Sequence, residues 1–229
     1  MTEALFEALE ATWPPAASRQ VGPFRLRDGA GGGKRVSAAL LDGDFSPAAL
    51  EAVADQPLFQ LRPGQEALDA ALVERGYRKI DPTIMMQAPI AALAEMPRPV
   101  SLPTIWPPLA IQRRIWEEGH IGPERVAVML RACDPKMSFI ARIRDKPAGV
   151  GFVAIHRGIA MLHALHVEPT FRREGIGVRM VRGMAYWAEQ QGAETFALAV
   201  TEANAAARAL YRGLGMAEVA AYHYRERQT

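Results

Sequence analysis

Apolar residues recur along the chain with two different periods, and each period predicts a type of secondary structure. Recurrence at every third or fourth position predicts a helix, whereas alternation or a short continuous apolar run predicts a strand. In the first half, the pattern predicts helices at residues 2–12, 47–54 and 66–75, and strands at 24–27, 36–41, 58–61 and 77–88, the last interrupted at Pro82. In the second half, it predicts helices at 111–118, 123–132, 175–190 and 204–212, and strands at 137–143, 150–155, 160–167, 195–200 and 218–224. We therefore expect an α/β fold.

A proline-rich segment separates the two halves. It begins at Met96, contains Pro97, Pro99 and Pro103, and is followed by Pro107 and Pro108. Because proline fixes φ and lacks the backbone N–H, this segment can form neither a helix interior nor a central strand. We predict an N-terminal domain at residues 1–95, a linker at 96–108 and a C-terminal domain at 109–229.

The composition is that of a globular protein with a nearly balanced charge. Apolar residues make up 49% of the chain, and 27 Lys and Arg against 25 Asp and Glu give a formal charge of +2, which argues against a nucleic-acid partner. The start of the chain lacks the features of a secretory signal, and no apolar run reaches the roughly 18 to 20 residues of a membrane helix. The single cysteine, Cys133, cannot form an internal disulfide, and no Cys/His spacing resembles a zinc site. We expect a cytoplasmic protein with no membrane partner and no metal.

The segment Arg172-Arg173-Glu174-Gly175-Ile176-Gly177 lies between a predicted strand and a predicted helix. Glycine has no Cβ, so the backbone N–H groups of this loop can approach an oxyanion closely. The unpaired amides and the positive dipole end of the helix would then bind a pyrophosphate, with an arginine adding a charge-assisted hydrogen bond. The alternative is an ordinary solvated turn between a strand and a helix.

Asn204 and Tyr211 lie seven residues apart on the next predicted helix and are expected on the same face of it. Asn204 can either cap the helix or bind an amide-rich ligand. The phenol of Tyr211 can either donate a proton to a leaving thiolate or simply be a half-buried helix residue.

Taken together, these segments resemble the GCN5-related N-acetyltransferase (GNAT) superfamily. The resemblance rests on Leu165-His166-Val167-Glu168-Pro169, Arg172-x-x-Gly175-x-Gly177, Asn204, Ala209-Leu210-Tyr211 and Leu214-Gly215-Met216, and it spans about residues 137–220. It implies a mixed central sheet with flanking helices, in which acetyl-CoA lies between two splayed parallel strands. The implied activity is transfer of the acetyl group of acetyl-CoA to the amine of a small molecule or peptide, by direct attack in a ternary complex. The alternative is a non-catalytic acyl-CoA sensor.

The resemblance also implies a role for individual residues. The pyrophosphate-binding loop would comprise Arg172, Arg173, Glu174, Gly175, Ile176, Gly177 and Val178. The strand segment Leu165, His166 and Val167 would pair with the pantetheine arm, and the amide near Val167 would hold the thioester carbonyl. Asn204 would contact the cofactor arm, and Tyr211 would protonate the departing thiolate.

The general base is the least defined part of the predicted site. The strand position that holds a glutamate base in some GNAT proteins is Met161, which cannot accept a proton. Period-two counting puts His163 on the same strand face as Met161 and Val167, and His166 on the opposite face. His163 is therefore the candidate base, and a satisfied structural histidine is the alternative. Glu117 and Glu118 lie where the acceptor site is commonly lined, although glutamates there are usually solvated.

The first half contains two features that require interpretation. Gly29-Ala30-Gly31-Gly32-Gly33-Lys34 lacks the spacing and the Ser or Thr of a nucleotide-binding phosphate loop, so we interpret it as a flexible turn between strands.

The helix that ends at Gly76 aligns with the helix that ends at Gly215, which suggests that the first half is a degenerate tandem copy of the GNAT fold, unable to bind acetyl-CoA. The alternative is that any helix capped by glycine aligns in this way.

Overall fold

The computed structural model describes residues 2–228. Within this range the helices are α1 (Thr2–Thr12), α2 (Lys34–Ser37), α3 (Pro47–Glu51), α4 (Glu66–Glu74), α5 (Ala110–Glu118), α6 (Pro123–Arg131), α7 (Ile176–Gln190) and α8 (Ala205–Gly213). The strands are β1 (Ala17–Val21), β2 (Phe24–Asp28), β3 (Leu40–Leu41), β4 (Leu58–Leu61), β5 (Tyr77–Pro89), β6 (Thr104–Ile105), β7 (Lys136–Ile143), β8 (Lys146–His156), β9 (Ile159–Val167), β10 (Thr195–Thr201) and β11 (Ala217–Arg227). None of the helices in this range is long and apolar enough to cross a membrane.

Strands from both halves of the chain form one eight-stranded sheet, in the order β4-β11-β5-β10-β9-β8-β7-β6. The pair β9 and β10 is parallel and the other neighbouring pairs are antiparallel, which confirms the prediction of a mixed sheet with flanking helices. A smaller three-stranded sheet contains β1, β2 and β3.

The strand β5, which precedes the proline-rich segment, lies between two strands that follow it. Residues 83–89 of β5 pair with β10, and residues 77–87 pair with β11. Pro82 occupies a bulge, since the register steps from Thr83 opposite Tyr222 to Ile80 opposite Tyr224. The halves therefore share a sheet, and the division at residues 96–108 stays a prediction.

The two faces of the large sheet bury different sets of side chains. The first, which we name the α7 face, packs β5, β8, β9 and β10 against α7 and α8 through residues that include Met86, Val153, Leu162, Met184 and Tyr211. The opposite face, which we name the α1 face, is covered by α1, α5 and α6, with Leu9, Trp116 and Val128 among the buried residues. Because the central strands β8, β9 and β10 are covered on both faces, their buried residues form nearly continuous runs.

The proline-rich segment packs on the domain surface. Leu102 is buried in the cluster on the α7 face, and a Cβ added to Gly183 of α7 would lie 2.6 Å from Leu102 Cδ2. Two residues of this segment form the edge strand β6, which pairs with β7. The segment is thus too rich in proline for a central strand, yet it supplies one short edge strand.

The prediction of a strand at residues 36–41 is wrong over its first part. Residues 34–37 form the short helix α2, and only Leu40 and Leu41 form a strand. The preceding glycines pack tightly against α6, where a Cβ on Gly32 would lie 2.6 Å from Val128 Cγ2. This tertiary packing, together with the hydrogen bond from Ser37 Oγ to the Gly33 carbonyl at 3.1 Å, overrides the β propensity of Val36.

Candidate active site

The parallel strands β9 and β10 diverge halfway along their length. They pair from Ile159 opposite Thr195 to Leu162 opposite Leu198, and no pairing is formed beyond that position among the described residues. The carboxyl-terminal parts of the two strands thus enclose a gap in the sheet. Such a gap exposes backbone N–H and C=O groups that a bound ligand can satisfy.

A bulge in β9 lies at the mouth of this gap. His163 pairs with Phe152 and His166 pairs with Val150, so that Ala164 and Leu165 together oppose Gly151. Ala164 has φ of 52°, and its carbonyl accepts a hydrogen bond from Trp116 Nε1 at 2.8 Å. Trp116 therefore holds the bulged backbone from the α1 face.

The bulge overturns the predicted facing of the strand residues. Period-two counting is valid only in a regular strand, and one extra residue reverses the alternation. His163 and His166 share the α1 face, because their partners Phe152 and Val150 lie two residues apart on β8. Val167 lies on the opposite face. The predicted sharing of one face by His163 and Met161 is confirmed, but the predictions for Val167 and His166 are wrong.

The backbone of Val167 points into the gap. Glu168 donates its N–H to the Ala148 carbonyl at 3.0 Å, so this flanking residue is bonded to β8. Because bonding directions alternate along an antiparallel pair, the N–H and C=O of Val167 point away from β8. The Val167 carbonyl accepts from Arg172 Nε at 3.2 Å, and its N–H remains oriented toward the gap.

The start of α7 carries unpaired amides beside this gap. Gly175, with φ of 72°, precedes the helix without a side-chain cap, and the first turn contains no acidic residue. Arg179 N–H bonds to the Gly175 carbonyl at 3.1 Å, so the amides of Ile176, Gly177 and Val178 precede the first intrahelical bond. A Cβ on Gly175 would have no atom within 4 Å, which leaves open space in front of the loop.

The charged residues of the loop are exposed. Arg173 adopts φ of 67°, and Glu174 forms an ion pair with Arg144 at 3.3 Å. Gly177 has a packing role, because a Cβ there would lie 2.7 Å from Leu210 Cδ1 of α8. The absence of that side chain allows α8 to pack directly on the start of α7.

This close packing brings Tyr211 of α8 next to the loop. Tyr211 is buried in the same cluster as Ile176, with Leu165 and Val167 packed against that cluster. Among residues 2–228, its phenol has no hydrogen-bond partner in the protein, and burial raises the pKa of Tyr211 above its ordinary value. The phenol is therefore protonated at physiological pH and is free to donate a hydrogen bond.

Asn204 caps α8. Its Oδ1 accepts a hydrogen bond from Ala207 N–H at 3.1 Å, and the side chain is exposed. The two sequence interpretations are compatible, since capping uses Oδ1 and leaves Nδ2 able to donate to a ligand.

His163 is held in a defined hydrogen-bonding arrangement on the α1 face. Arg35 Nη1 lies 3.4 Å from Nδ1, and Thr12 Oγ1 lies 2.9 Å from Nε2. Since Arg35 can only donate, Nδ1 accepts and Nε2–H donates to Thr12, whose hydroxyl donates to the Ala8 carbonyl at 2.6 Å. Burial, followed by the charge of Arg35, lowers the pKa of His163 well below its ordinary range. The ring is therefore neutral, and it stacks on Trp13 with a centroid separation of 4.8 Å.

His166 has a different environment. Its ring lies against Gly119 at the end of α5, where an added Cβ would be 2.4 Å from Nδ1. Its Nε2 is buried with no hydrogen-bond partner among the described residues. Burial, followed by the charge of Arg172, lowers the pKa of His166.

Of the two glutamates at the end of α5, Glu118 forms an ion pair and Glu117 forms none among residues 2–228. Glu118 forms an ion pair with Arg114 at 3.6 Å and also lies beside Glu168. Burial and the neighbouring Glu118 carboxylate raise the pKa of Glu168. Glu117 is exposed.

A cavity of about 460 Å³ opens on the α1 face beside the bulge. Its lining includes Trp13, Arg35, Asp81, Arg125, His163 and Tyr222. Most of these residues were not identified from the sequence, because they come from segments far apart in the chain. The glycine-rich turn supplies the only local signal, since Gly32 and Gly33 form part of the wall.

A second cleft, of about 1180 Å³, lies on the outer side of α1. Its charged side chains neutralise one another: Glu10 pairs with Arg25 at 2.6 Å and with Arg62 at 2.5 Å, and Glu7 pairs with Arg157 at 3.0 Å. This cleft contains His156, the last residue of β8, and Arg157 of the turn that leads into β9, so it lies at the end of β9 opposite the gap.

Comparison with known proteins agrees with this geometry. The family model described as Acetyltransferase (GNAT) family matches residues 106–216. The uncharacterized N-acetyltransferase YobR of Bacillus subtilis (strain 168) is 26% identical, and the match covers 94% of this chain and 94% of YobR.

Two solved structures show the same fold over nearly the whole chain. A GCN5-related N-acetyltransferase from Kribbella flavida has a TM-score of 0.70 at 18% identity, covering 99% of this chain and 94% of that chain. A tandem GNAT protein from the clavulanic acid biosynthesis pathway has a TM-score of 0.58 at 14% identity, covering 95% of this chain and 85% of that chain.

A sheet that splays between two parallel strands, with a glycine loop at the adjacent helix, defines an acetyltransferase fold of the GNAT class. Residues 106–216 of this chain match the acetyltransferase (GNAT) family. The first half also matches the fold of GNAT proteins, including a tandem one.

Proposed function

We propose that this protein transfers the acetyl group of acetyl-CoA to a primary amine by direct attack in a ternary complex, without a metal. The observation that carries the proposal is the position of the gap between β9 and β10. The α7 loop with its unpaired amides lies on one side of the sheet, and the 460 Å³ cavity lies on the other. A cofactor and an acceptor can therefore reach the same gap from opposite faces.

The residues of the α7 loop suit a pyrophosphate. The amides of Ile176, Gly177 and Val178, together with the helix dipole, provide donors for phosphate oxygens. Arg172 and Arg173 add positive charge, although Arg172 is already bonded to the Val167 carbonyl. Leu165, His166 and Val167 offer a strand edge to the amide-rich arm of coenzyme A, and Asn204 offers Nδ2.

The proposed reaction needs an oxyanion donor and a proton donor. The amine nitrogen attacks the thioester carbonyl carbon, and the Val167 N–H stabilises the resulting oxyanion. The carbon–sulfur bond then breaks, and the thiolate takes a proton from the Tyr211 phenol. The phenolate is reprotonated by the proton that the attacking amine has lost.

His163 is the candidate base, and its hydrogen bonds set a condition on that role. The ring lines the cavity next to the bulge, but Nδ1 already accepts from Arg35. To take a proton from the amine, Nδ1 must exchange Arg35 for the substrate. In the alternative function, a non-catalytic acyl-CoA sensor, His163 keeps its hydrogen bond from Arg35. The observation that favours the sensor is that both ring nitrogens of His163 already have hydrogen-bond partners.

An activity measurement separates the two functions. The purified protein is mixed with acetyl-CoA and a panel of primary amines, and acetylated products are detected by mass spectrometry. Formation of an acetylated amine at a rate proportional to protein concentration supports the transferase. Tight binding of acetyl-CoA with no product from any amine supports the sensor.

A further inference from the structure

The cavity on the α1 face contains more positive than negative charge. Lys34 and Asp81 form an ion pair at 2.8 Å and neutralise each other. Arg35 and Arg125 also line the cavity, and neither takes part in any ion pair among residues 2–228. Two guanidinium groups thus face the cavity without an acidic partner.

The groups that contact Arg35 are neutral. Its Nη1 donates to the unprotonated nitrogen of His163, and its guanidinium lies beside the phenols of Tyr222 and Tyr224. A half-buried guanidinium gains most from a carboxylate or phosphate, because the planar fork can form two parallel charge-assisted hydrogen bonds. Within residues 2–228, no carboxylate forms an ion pair with Arg35.

Arg125 approaches the cavity from α6. Its Nη1 donates to the His120 carbonyl at 3.2 Å, and a Cβ on Gly33 would lie 3.5 Å from its Nη2. A Cβ at residue 33 would therefore lie in ordinary van der Waals contact with the guanidinium. Gly33, whose φ is 96°, thus places the glycine-rich turn directly beside this arginine.

We propose that the acetyl acceptor is a small primary amine that also carries an oxyanion, and that Arg35 and Arg125 bind that anionic group. The oxyanion is a carboxylate or a phosphate, which share this recognition chemistry. The inference deepens the proposed function and rests on it. A cavity of about 460 Å³ suits a small molecule, and Ala164 at the bulge forms part of its wall. The amine then points to the gap while the oxyanion remains at the arginines.

The test compares amines that differ only in the anionic group. β-Alanine and phenylalanine are compared with their amides, and phosphoethanolamine with ethanolamine, by measuring kcat/KM for acetyl transfer. We expect the anionic member of at least one pair to be preferred on the order of 10- to 100-fold. The pair that shows the preference identifies the oxyanion as a carboxylate or a phosphate.

Two variants assign the preference to the arginines. Arg125→Gln removes an exposed guanidinium, and Arg35→Lys keeps the charge but removes the fork. Both variants should bring the ratio of kcat/KM for the anionic amine to kcat/KM for its neutral counterpart toward one. The control is Arg113→Gln, which changes an exposed arginine of α5 that does not line the cavity, and it should leave this ratio unchanged. A ratio unaffected by Arg125→Gln and by Arg35→Lys overturns the assignment.

A binding measurement separates this inference from the transferase activity. Each amine is titrated into the intact 229-residue chain in the presence of coenzyme A, and tryptophan fluorescence is recorded, because Trp13 lines the cavity. Binding of the anionic amines without any acetylated product supports an oxyanion site at Arg35 and Arg125 but contradicts the transferase, and with it the role of these amines as acceptors. Acetylation of neutral amines at equal or higher kcat/KM overturns the inference and leaves the transferase standing. If no amine binds or reacts, both are overturned.

Discussion

Leu162 of β9 lies opposite Leu198 of β10 at the last position where these two parallel strands are paired. Beyond this position the α7 loop and Tyr211 lie toward one face of the sheet, and His163 lies on the other. Two ligands can therefore reach the same exposed backbone groups, one from each face of the sheet.

Tyr211→Phe should lower kcat for acetyl transfer by about 10²- to 10⁴-fold, because the departing thiolate loses its proton donor. The dissociation constant for acetyl-CoA should not change, since the ring remains in the buried cluster. Tyr186→Phe, a half-buried tyrosine on α7, is the matched control and should retain full activity. A fully active Tyr211→Phe variant would show that another group protonates the thiolate.

His163 should make the protein less stable as the pH falls. Its pKa in the folded state lies well below the value of roughly 6.5 expected in the unfolded chain, so the unfolded state binds the extra proton first. The free energy of unfolding should therefore decrease below about pH 6.5, by at most about 1.4 kcal/mol per pH unit from this one group. Urea unfolding at pH 7, 6 and 5 measures the effect.

His163→Gln should unfold with a weaker pH dependence over the same range, and the exposed His120→Gln should behave like the parent. Identical slopes for the parent and His163→Gln would mean that His163 is not held neutral by burial. The pH profile of kcat/KM for His163→Gln also tests whether His163 is the general base. If it is, the profile of the variant should lack one titration that the parent shows.

The fragment 109–229 should not form a stable monomer. Without β5, the facing edges of β10 and β11 lose their hydrogen-bonding partner, and apolar residues such as Met86 leave the core. Circular dichroism and size-exclusion chromatography of this fragment should show aggregation or the lack of a cooperative transition. Co-expression with residues 1–95 should restore the sheet. A monomeric, cooperatively unfolding fragment 109–229 would support the two-domain division predicted from the sequence.

Much of the secondary structure is predictable from local pattern. The apolar period gives α5, α6 and α7 to within one residue at each end, and Ser46 before Pro47 correctly marks the start of α3. The exposed strand β1 is missed because it has no alternation of apolar residues to detect. The placement of β5 between β10 and β11 depends on long-range pairing that no local signal encodes.

The candidate site is likewise predictable only where its residues lie close together in the sequence. The loop before α7 and Tyr211 belong to contiguous motifs, and the structure places them in neighbouring positions. The bulge at Ala164 has no recognisable residue signature, and it reverses the facing of every residue after it. Arg35 and Asp81 reach the cavity only because the first half of the chain folds against the second.

Binding of acetyl-CoA to the α7 loop is the central claim, and calorimetric titration tests it most directly. Gly175→Glu places a carboxylate in the open space before the helix, and Gly192→Glu is the matched control, since both glycines have positive φ (72° and 83°) and neither has an atom within 4 Å of an added Cβ. The account predicts a dissociation constant on the order of 10 μM for the parent and for Gly192→Glu, and binding at least about tenfold weaker for Gly175→Glu. Equal affinity in all three folded proteins, or no binding by the parent, would contradict it.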